Sequence, residues 1–420
     1  MAKQIILGAH FPGVNNTTVW SDPESGSQID FASFTHLAQT AERGKFDFFF
    51  LAEGLALREQ RGLIHDLDVV GRPDTLTVLS ALAAVTTRLG LAGTLNATFH
   101  EPYELARQLA TLDHLSGGRA AWNVVTSSGP FFGANFRRGG FLDYSLRYER
   151  AGEFIRTARE LWDTDGGAFA HHGDQFDIEG RFGVPRSPQG RPVVLQAGDS
   201  DGGRELAAAE ADAIFSRHHQ LEDGQAFYRD VKARLPRYGR APESLKIIPG
   251  VSFVLGETDA DAHERAHAIR RKQVSPQTAI LLLEQLWNRD LSGYDADGPL
   301  PEVDPDVSDG SIIQGRAGMY PDPLATAAEW RARAEQKNLS IRDLIIEVTG
   351  RQNFIGTPDR VAAELDRYVQ TDACDGFILV PHLTPGGLDE FVDKVVPLLQ
   401  ERGVFRTDYE TTTLRGHLGL

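Results

Sequence analysis

The chain has 420 residues, 41% of them hydrophobic, enough to bury a large core as two or three domains or as one large α/β barrel with insertions. With 59 acidic against 43 basic residues the net charge is -16, which repels nucleic-acid phosphates and anionic membrane surfaces and removes nucleic acid and membrane from the expected partners. One cysteine, Cys374, excludes an internal disulfide framework and a cysteine-based zinc site, and suits the reducing cytoplasm in which the chain is expected to reside.

The opening MAKQIILGAHFPG has too short an apolar run for a secretion signal, and no stretch approaches the roughly 18 apolar residues of a membrane span. From there on, short β-branched and aromatic runs alternate with segments of helical periodicity, the pattern of parallel strands covered by helices. QIILGA is followed by the amphipathic FASFTHLAQTAERG, FDFFFLAE (46–53) by DTLTVLSALAAVT, and RLGLAGTL (88–95) by PYELARQLATLDHLS. RAAWNVVT (119–126) leads to LRYERAGEFIRTARELW; PVVLQAG (192–198), ADAIFS (211–216), IIPGVSFVL (247–255) and DGFILV (375–380) continue, with TPDRVAAELDRYVQ ahead of the last. Pro102 and Pro358 stand where a first helical turn accepts proline, with Thr357 as an N-cap. About eight such alternations predict an α/β fold, a closed (β/α)8 TIM barrel forming a single domain over residues 1–420.

Two stretches break the alternation. Ser127 to Tyr144 is a Gly, Phe and Arg-rich loop leaving the fourth strand, and about 272–338 is predicted as an insertion that covers the barrel mouth or joins subunits. The ending GVFRTDYETTTLRGHLGL, about 403–420, is predicted as an ordered arm, with another subunit as one place for it to pack.

Active sites of such barrels gather at the carboxyl ends of the strands. The polar residues predicted there are His10, Glu53, Asn96, Thr98, Asn123, Thr126, Ser127, Ser200, Arg217, His218, His219 and His382. In VVLQAGDSDGGRELAAAEAD an apolar strand runs through Gly198, Gly202 and Gly203 into an alanine-rich helix. Unpaired N–H groups at that helix start, close backbone approach and the Ser200 hydroxyl suit a phosphate; a plain strand-to-helix turn is the alternative. P-loop, GxGxxG, HExxH and GxSxG patterns are all missing, so neither a nucleoside triphosphate, a Rossmann dinucleotide, a metal nor a serine nucleophile is expected. Phe131, Phe132, Phe136, Phe141 and Tyr144 are candidates for an apolar substrate pocket, with core packing the alternative for each. Cys374 is expected to be packing rather than chemistry.

DHLSGGRAAWNVVTS (113–127), RYERAGEFIRTARELWDT (147–164), QAGDSDGGRELAAAEADAIF, TPDRVAAELDRYVQTDACDGFIL and the last thirty-odd residues from PGGLDEF carry a resemblance over nearly the whole chain. Together they resemble the nitrilotriacetate and dibenzothiophene sulfone monooxygenases, a branch of the bacterial luciferase-like, two-component flavin monooxygenases. The resemblance implies a luciferase-like barrel with insertions at its C-terminal face. It also implies reduced FMN (FMNH2) and O2 as co-substrates, a separate NAD(P)H:flavin reductase, and insertion of one oxygen atom into a small organic substrate. A homodimer or homotetramer is expected.

Carried over by position, the resemblance places Glu53, Thr94, Asn96, Thr98, Tyr144, Tyr148, Gly198 and Ser200 at the flavin, with Tyr148 and Ser200 at its phosphate or ribityl chain. Tyr144, Asn96, His10, Asn123 and His382 are the catalytic candidates for hydrogen bonds to the flavin edge or the substrate. Two departures stand out: Tyr144 where members often have histidine, and Asn15 and Asn16 where many have one. Histidine carries charge near neutral pH and tyrosine ordinarily does not. The competing readings are a deazaflavin-dependent dehydrogenase of the same fold, a non-catalytic flavin-binding protein, and a barrel that has lost its ligand.

Overall fold

A computed structural model of the chain describes residues 2–11, 17–56, 59–60, 73–127, 130–136, 143–308, 312–314, 320–350 and 353–420. Eight strands, numbered first to eighth in chain order, close into a barrel: Ile6–Phe11, Phe48–Leu51, Gly90–Asn96, Ala120–Val125, Val193–Gln196, Ala213–Ser216, Lys246–Val251 and Gly376–Leu379. Each pairs in parallel with its neighbours in sequence, and the eighth closes on the first. These are the eight apolar runs of the sequence. They lack polar alternation because both faces are covered. Ile6, Phe48, Ala92, Ala121, Val193, Ala213, Ile248 and Ile378 fill the inside. Leu7, Phe49, Leu91 and Phe377 pack outward with Leu37, Leu79 and Leu365 of the surrounding helices. Pro102 and Pro358 open their helices as expected, and Thr357 caps the second by accepting from the Arg360 N–H.

The register is pinned from below by three aspartates that precede even-numbered strands. Asp47, Asp212 and Asp375 each accept a backbone N–H of the preceding odd-numbered strand, from Leu7, Val194 and Ile247 at 2.8, 2.9 and 2.8 Å. Each also faces a cation: Arg406 at 2.5 Å, Arg415 at 3.1 Å and Lys232 at 3.1 Å.

Two of those cations belong to the C-terminal segment. Leu414 and Leu418 enter the barrel's own interior cluster, so the ending stoppers the amino-terminal end of the barrel it belongs to. Between the seventh strand and the Pro358–Gln370 helix that leads to the eighth lie four helices among the described residues, Asp259–Gln273, Pro276–Trp287, Pro323–Lys337 and Ile341–Thr349. The last three share a core around Trp287, Trp330 and Ile345. Lys272 pairs with Asp22 at 3.2 Å and Gln273 donates to the Thr17 carbonyl, which ties this unit to the segment leaving the first strand, at the mouth.

His417, within the stopper, has the partners of a neutral ring: Nε2 donates to the Arg88 carbonyl at 2.9 Å and Nδ1 accepts from the Thr411 hydroxyl at 2.7 Å. Burial pushes its pKa down to about 4, from an ordinary value of 6.5. Between those values the unfolded chain holds a proton that the folded chain refuses, so stability falls as pH drops through this window. The slope is up to about 1.4 kcal/mol per pH unit for one histidine. His417→Gln is therefore expected to flatten the pH dependence of the urea-unfolding free energy between pH 6.5 and 4. An unchanged slope would remove His417 from the acid response.

Candidate active site

The mouth is lined by side chains that alternate inward from the strand ends. Thr94 of the third strand and Asn123 of the fourth are register partners, and Asn123 is also the partner of Leu195, which faces the interior. Asn123 donates Nδ2 to the Thr94 hydroxyl at 2.9 Å. Its Oδ1 is buried with no partner among the described residues. His10 is the penultimate residue of the first strand, its ring stacked on Phe50 with centroids 5.6 Å apart, and Phe50 in turn stacks on Phe215 at 5.9 Å. His10 Nδ1 is likewise buried and unpartnered among the described residues, and burial pushes its pKa down to about 4, so the ring is neutral at ordinary pH. His382 repeats this state after the eighth strand: Nδ1 is buried and unpartnered among the described residues, and its pKa is lowered by burial first and then by Arg265. Its carbonyl accepts from the Val19 N–H at 2.8 Å, so the segments following the first and eighth strands meet there.

Asn96 has a different job. Its Oδ1 accepts from the N–H groups of Thr98 and Phe99 at 2.6 and 3.3 Å, and Nδ2 reaches the Ser127 carbonyl at 3.3 Å. The side chain is committed to shaping the turn after the third strand and bridging it to the fourth, with one amide N–H left over. Thr98 is held inside that turn and is buried. Glu53 is half-buried just beyond the second strand.

At the fifth strand the glycine-rich turn delivers its helix, Asp201–Glu210, with Ser200 as N-cap accepting from Gly203 N–H at 3.3 Å. Tyr148 comes from the first turn of the helix Arg147–Asp163, and its hydroxyl lies 2.8 Å from that of Ser200. Glycine is required here by contact. A Cβ on Gly203 would lie 2.7–2.8 Å from the Gly198 backbone, and one on Gly202 would lie 2.9 Å from the Tyr148 ring. Two hydroxyls, a helix start and a turn with no side chains thus share one spot, as an approaching phosphate needs.

Tyr144 is not gathered with these groups. It sits in a short 3-10 turn, 68% exposed, with its ring under the Arg147 guanidinium, 3.5 Å from centroid to carbon. The same guanidinium lies 4.2 Å from the centroid of the Tyr148 ring, so among the described residues Tyr144 stands at the rim of the phosphate turn. Asn15, Asn16, Arg137, Arg138 and Phe141 lie outside the described residues, as does the Phe131 side chain. Phe136 stacks on Phe99 with centroids 5.0 Å apart, at the edge of the mouth.

Two features escaped the sequence. Gln196, the last residue of the fifth strand, is buried beneath the glycine turn with its Oε1 unpartnered among the described residues. Asp199 bonds His218 at 2.8 Å and Arg204 at 3.4 Å, bracing the turn from the sixth strand. A polar residue closing an otherwise apolar strand was the available signal for Gln196. No local pattern joins Asp199 to His218. Among the described residues no group of three or more His, Cys, Asp or Glu is disposed to hold a metal, and no helix is long and apolar enough to cross a membrane. Cys374 is a free thiol buried in the outer core, its pKa raised by burial, and it packs as expected.

This arrangement sits on a chain that matches the family model described as luciferase-like monooxygenase over residues 13–375. The chain belongs to the luciferase-like monooxygenase family. It is 39% identical to N-acetyl-S-(2-succino)cysteine monooxygenase of Bacillus subtilis, over 100% of this chain and 97% of that one. It is 38% identical to nitrilotriacetate monooxygenase component A of Aminobacter aminovorans, over 99% and 94% of the two chains. Among solved structures, EDTA monooxygenase from Chelativorans sp. BNC1 superposes with a TM-score of 0.76 at 29% identity, covering 100% of this chain and 99% of that chain. The protein is an enzyme, a flavin-dependent monooxygenase of the two-component kind, and its barrel is the family's.

Proposed function

We propose that the flavin is FMN, bound in its reduced form with its phosphate at the turn between Gly198 and Gly203 and its ring over the mouth of the barrel. O2 is the co-substrate, and a separate NAD(P)H:flavin reductase supplies FMNH2 to a cytoplasmic homodimer or homotetramer. The observation that supports this reading most directly is the meeting of the Tyr148 and Ser200 hydroxyls, 2.8 Å apart, at the start of the Asp201–Glu210 helix. The buried Asn123 Oδ1 and His10 Nδ1, unpartnered among the described residues, add acceptor or donor capacity inside the same mouth, which a ring with polar edges fits.

When bound, reduced FMN supplies the activation of O2 and the oxygen atom that reaches the substrate. This chain's residues bind, orient and exclude water. Ser200 and Tyr148 hold the phosphate by charge-assisted hydrogen bonds. Asn123 and Thr94 hold one edge of the ring site, and the stacked Phe50 and Phe215 keep its floor dry. His10 and His382, neutral because they are buried, offer a ring nitrogen to flavin or substrate without introducing charge. Glu53, Asn96, Thr98 and Gly198 complete the flavin environment, the first as a polar wall and the others by shaping its loops.

No GxGxxG turn follows any of the eight strands, so a nicotinamide could be reached only through the flavin pocket itself. The expected result is that FMN-loaded protein mixed anaerobically with NADH or NADPH in a stopped-flow instrument keeps its oxidised flavin spectrum, and that adding a flavin reductase bleaches it. Bleaching within seconds by the protein alone would defeat the two-component reading.

A further inference from the structure

A phosphate monoester carries close to two negative charges at neutral pH, and the glycine turn after the fifth strand offers it hydroxyls and helix N–H groups but no full positive charge of its own. Two carboxylates flank Ser200 in sequence, and each is already matched. Asp199 is held by His218 at 2.8 Å and Arg204 at 3.4 Å, and Asp201 by Arg234 at 2.7 Å. Arg204 and Arg234 also share Asp230, at 2.9 and 3.1 Å, and Arg234 takes Glu205 at 2.9 Å. Arg204 and Arg234 are thus spent on carboxylates of the protein.

Arg147, one residue before Tyr148, has no carboxylate partner among the described residues. One of its five N–H groups donates to the Tyr144 carbonyl, and the other four have no acceptor among the described residues. Asp143 accepts instead from the Ser145 N–H and hydroxyl at 2.8 and 2.7 Å. Glu149 stands two residues on, a spacing that puts side chains on different faces of a helix. The guanidinium is nevertheless fixed in place, because its carbon lies 3.5 Å from the centroid of the Tyr144 ring and 4.2 Å from that of Tyr148. The Tyr148 ring is the one whose hydroxyl meets Ser200 at 2.8 Å, so an unpaired charge rests against the residue at the phosphate position.

We propose that Arg147 is the residue by which this enzyme distinguishes FMN from riboflavin, pairing with the phosphate of the flavin while the rings of Tyr144 and Tyr148 hold it in position. The inference rests on the reading of the glycine turn as the flavin phosphate site. Hydroxyls serve neutral groups and charged ones alike, so Ser200 and Tyr148 can hold a phosphate without making its charge a requirement. A guanidinium with its donors unspent rewards the dianion itself. Laid against two rings before the ligand arrives, it also has less freedom to lose on binding, and that gives the exposed Tyr144 a task as a ring face.

Fluorescence titration of the full chain with FMN and with riboflavin tests this. Wild type is expected to bind FMN more tightly, and Arg147→Gln to weaken FMN by about tenfold while riboflavin stays within about twofold. Tyr144→Phe keeps the ring and is expected to keep the preference for FMN, whereas Tyr144→Ala is expected to lower it by about threefold. The wild-type preference is also expected to shrink as salt is raised, and that of Arg147→Gln to change less, a difference that a packing role for Arg147 would not produce. Equal losses for the two flavins in Arg147→Gln, or an unchanged ratio of their affinities, overturn the proposal. Ser200→Ala tells that failure from a failure of the phosphate site: if it lowers the preference while Arg147→Gln does not, the turn keeps the phosphate and only Arg147 is removed. A preference untouched by either variant moves the phosphate away from the turn, and equal affinity of wild type for the two flavins overturns both readings. Should Arg147→Gln not fold by circular dichroism, Tyr144→Ala, at a site 68% exposed, carries the test, and an FMN preference equal to wild type there overturns the proposal.

Discussion

Gly203→Ala is expected to weaken FMN binding by roughly a hundredfold or more while the barrel stays folded. The new methyl group would stand 2.7 Å from the Gly198 carbonyl carbon and 2.8 Å from its Cα and oxygen, all of them backbone atoms. No side chain can rotate away, so the turn itself must open. Overpacking of this kind costs about 1–3 kcal/mol, and here the strain is relieved by separating the glycine turn from the helix start. That movement takes Ser200 off the Tyr148 hydroxyl and misaligns the N–H groups that would meet the phosphate. Each hydrogen bond to a charged group is worth about 1.5–3 kcal/mol, so losing the alignment of two amounts to about a hundredfold at the least. Fluorescence titration of FMN measures the affinity, and circular dichroism checks that the fold persists. An affinity within threefold of wild type in a folded variant would move the phosphate to another part of the mouth.

The largest effect on stability is expected from Arg406→Ala. Asp47 is fully buried, and Arg406 is the cation that faces it, at 2.5 Å. Burial already raises the Asp47 pKa, and Arg406 is the first of the forces holding it down. Removing the guanidinium leaves a buried carboxylate with hydrogen bonds but no opposite charge, a loss of about 3–5 kcal/mol by comparison with other broken buried pairs. It also frees the C-terminal segment from the second strand. The sign of the pH dependence follows from the raised pKa. The folded variant binds a proton at Asp47 more readily than the unfolded chain does, so its deficit relative to wild type is largest above the folded pKa and shrinks as pH falls toward the ordinary carboxylate value. Denaturant unfolding of both proteins at several pH values gives that difference, measured in a His417→Gln background because Arg406 is also one of the charges that lower the His417 pKa. A deficit under about 1 kcal/mol at neutral pH, or one that grows in acid, would show that Asp47 does not depend on Arg406. The double replacement Asp47→Asn with Arg406→Met is expected to recover much of the loss, because it removes both charges together.

Function here is divided between the two ends of one barrel. The carboxyl end carries loops, glycine turns and buried nitrogens and oxygens left without protein partners among the described residues. The amino end carries aspartates that meet backbone N–H groups, and two arginines and a lysine that meet the aspartates. The first is open for ligand and chemistry, while the second secures the register.

Whatever short-range physics controls was legible in the residues alone. Apolar runs of four to seven residues became the strands because both faces are buried, and Thr357 with Pro358 opened a helix as caps do. Gly198, Ser200, Gly202 and Gly203 formed the turn their spacing described, and the resemblance brought Tyr148 to the same place. Which polar residues remain available was left to the folded barrel. Asn96 looks like a mouth residue by position, yet two backbone N–H groups of its own turn already occupy its oxygen, whereas Asn123, one strand away, keeps an oxygen with no partner among the described residues. Tyr144 stands four residues before Tyr148 and still faces solvent, since a 3-10 turn, not the helix, sets its direction. The C-terminal segment showed apolar residues without a destination; Leu414 and Leu418 found theirs inside a barrel whose strands begin hundreds of residues earlier. Contacts at such separation depend on how the whole sheet closes, and no local pattern of residues carries that information.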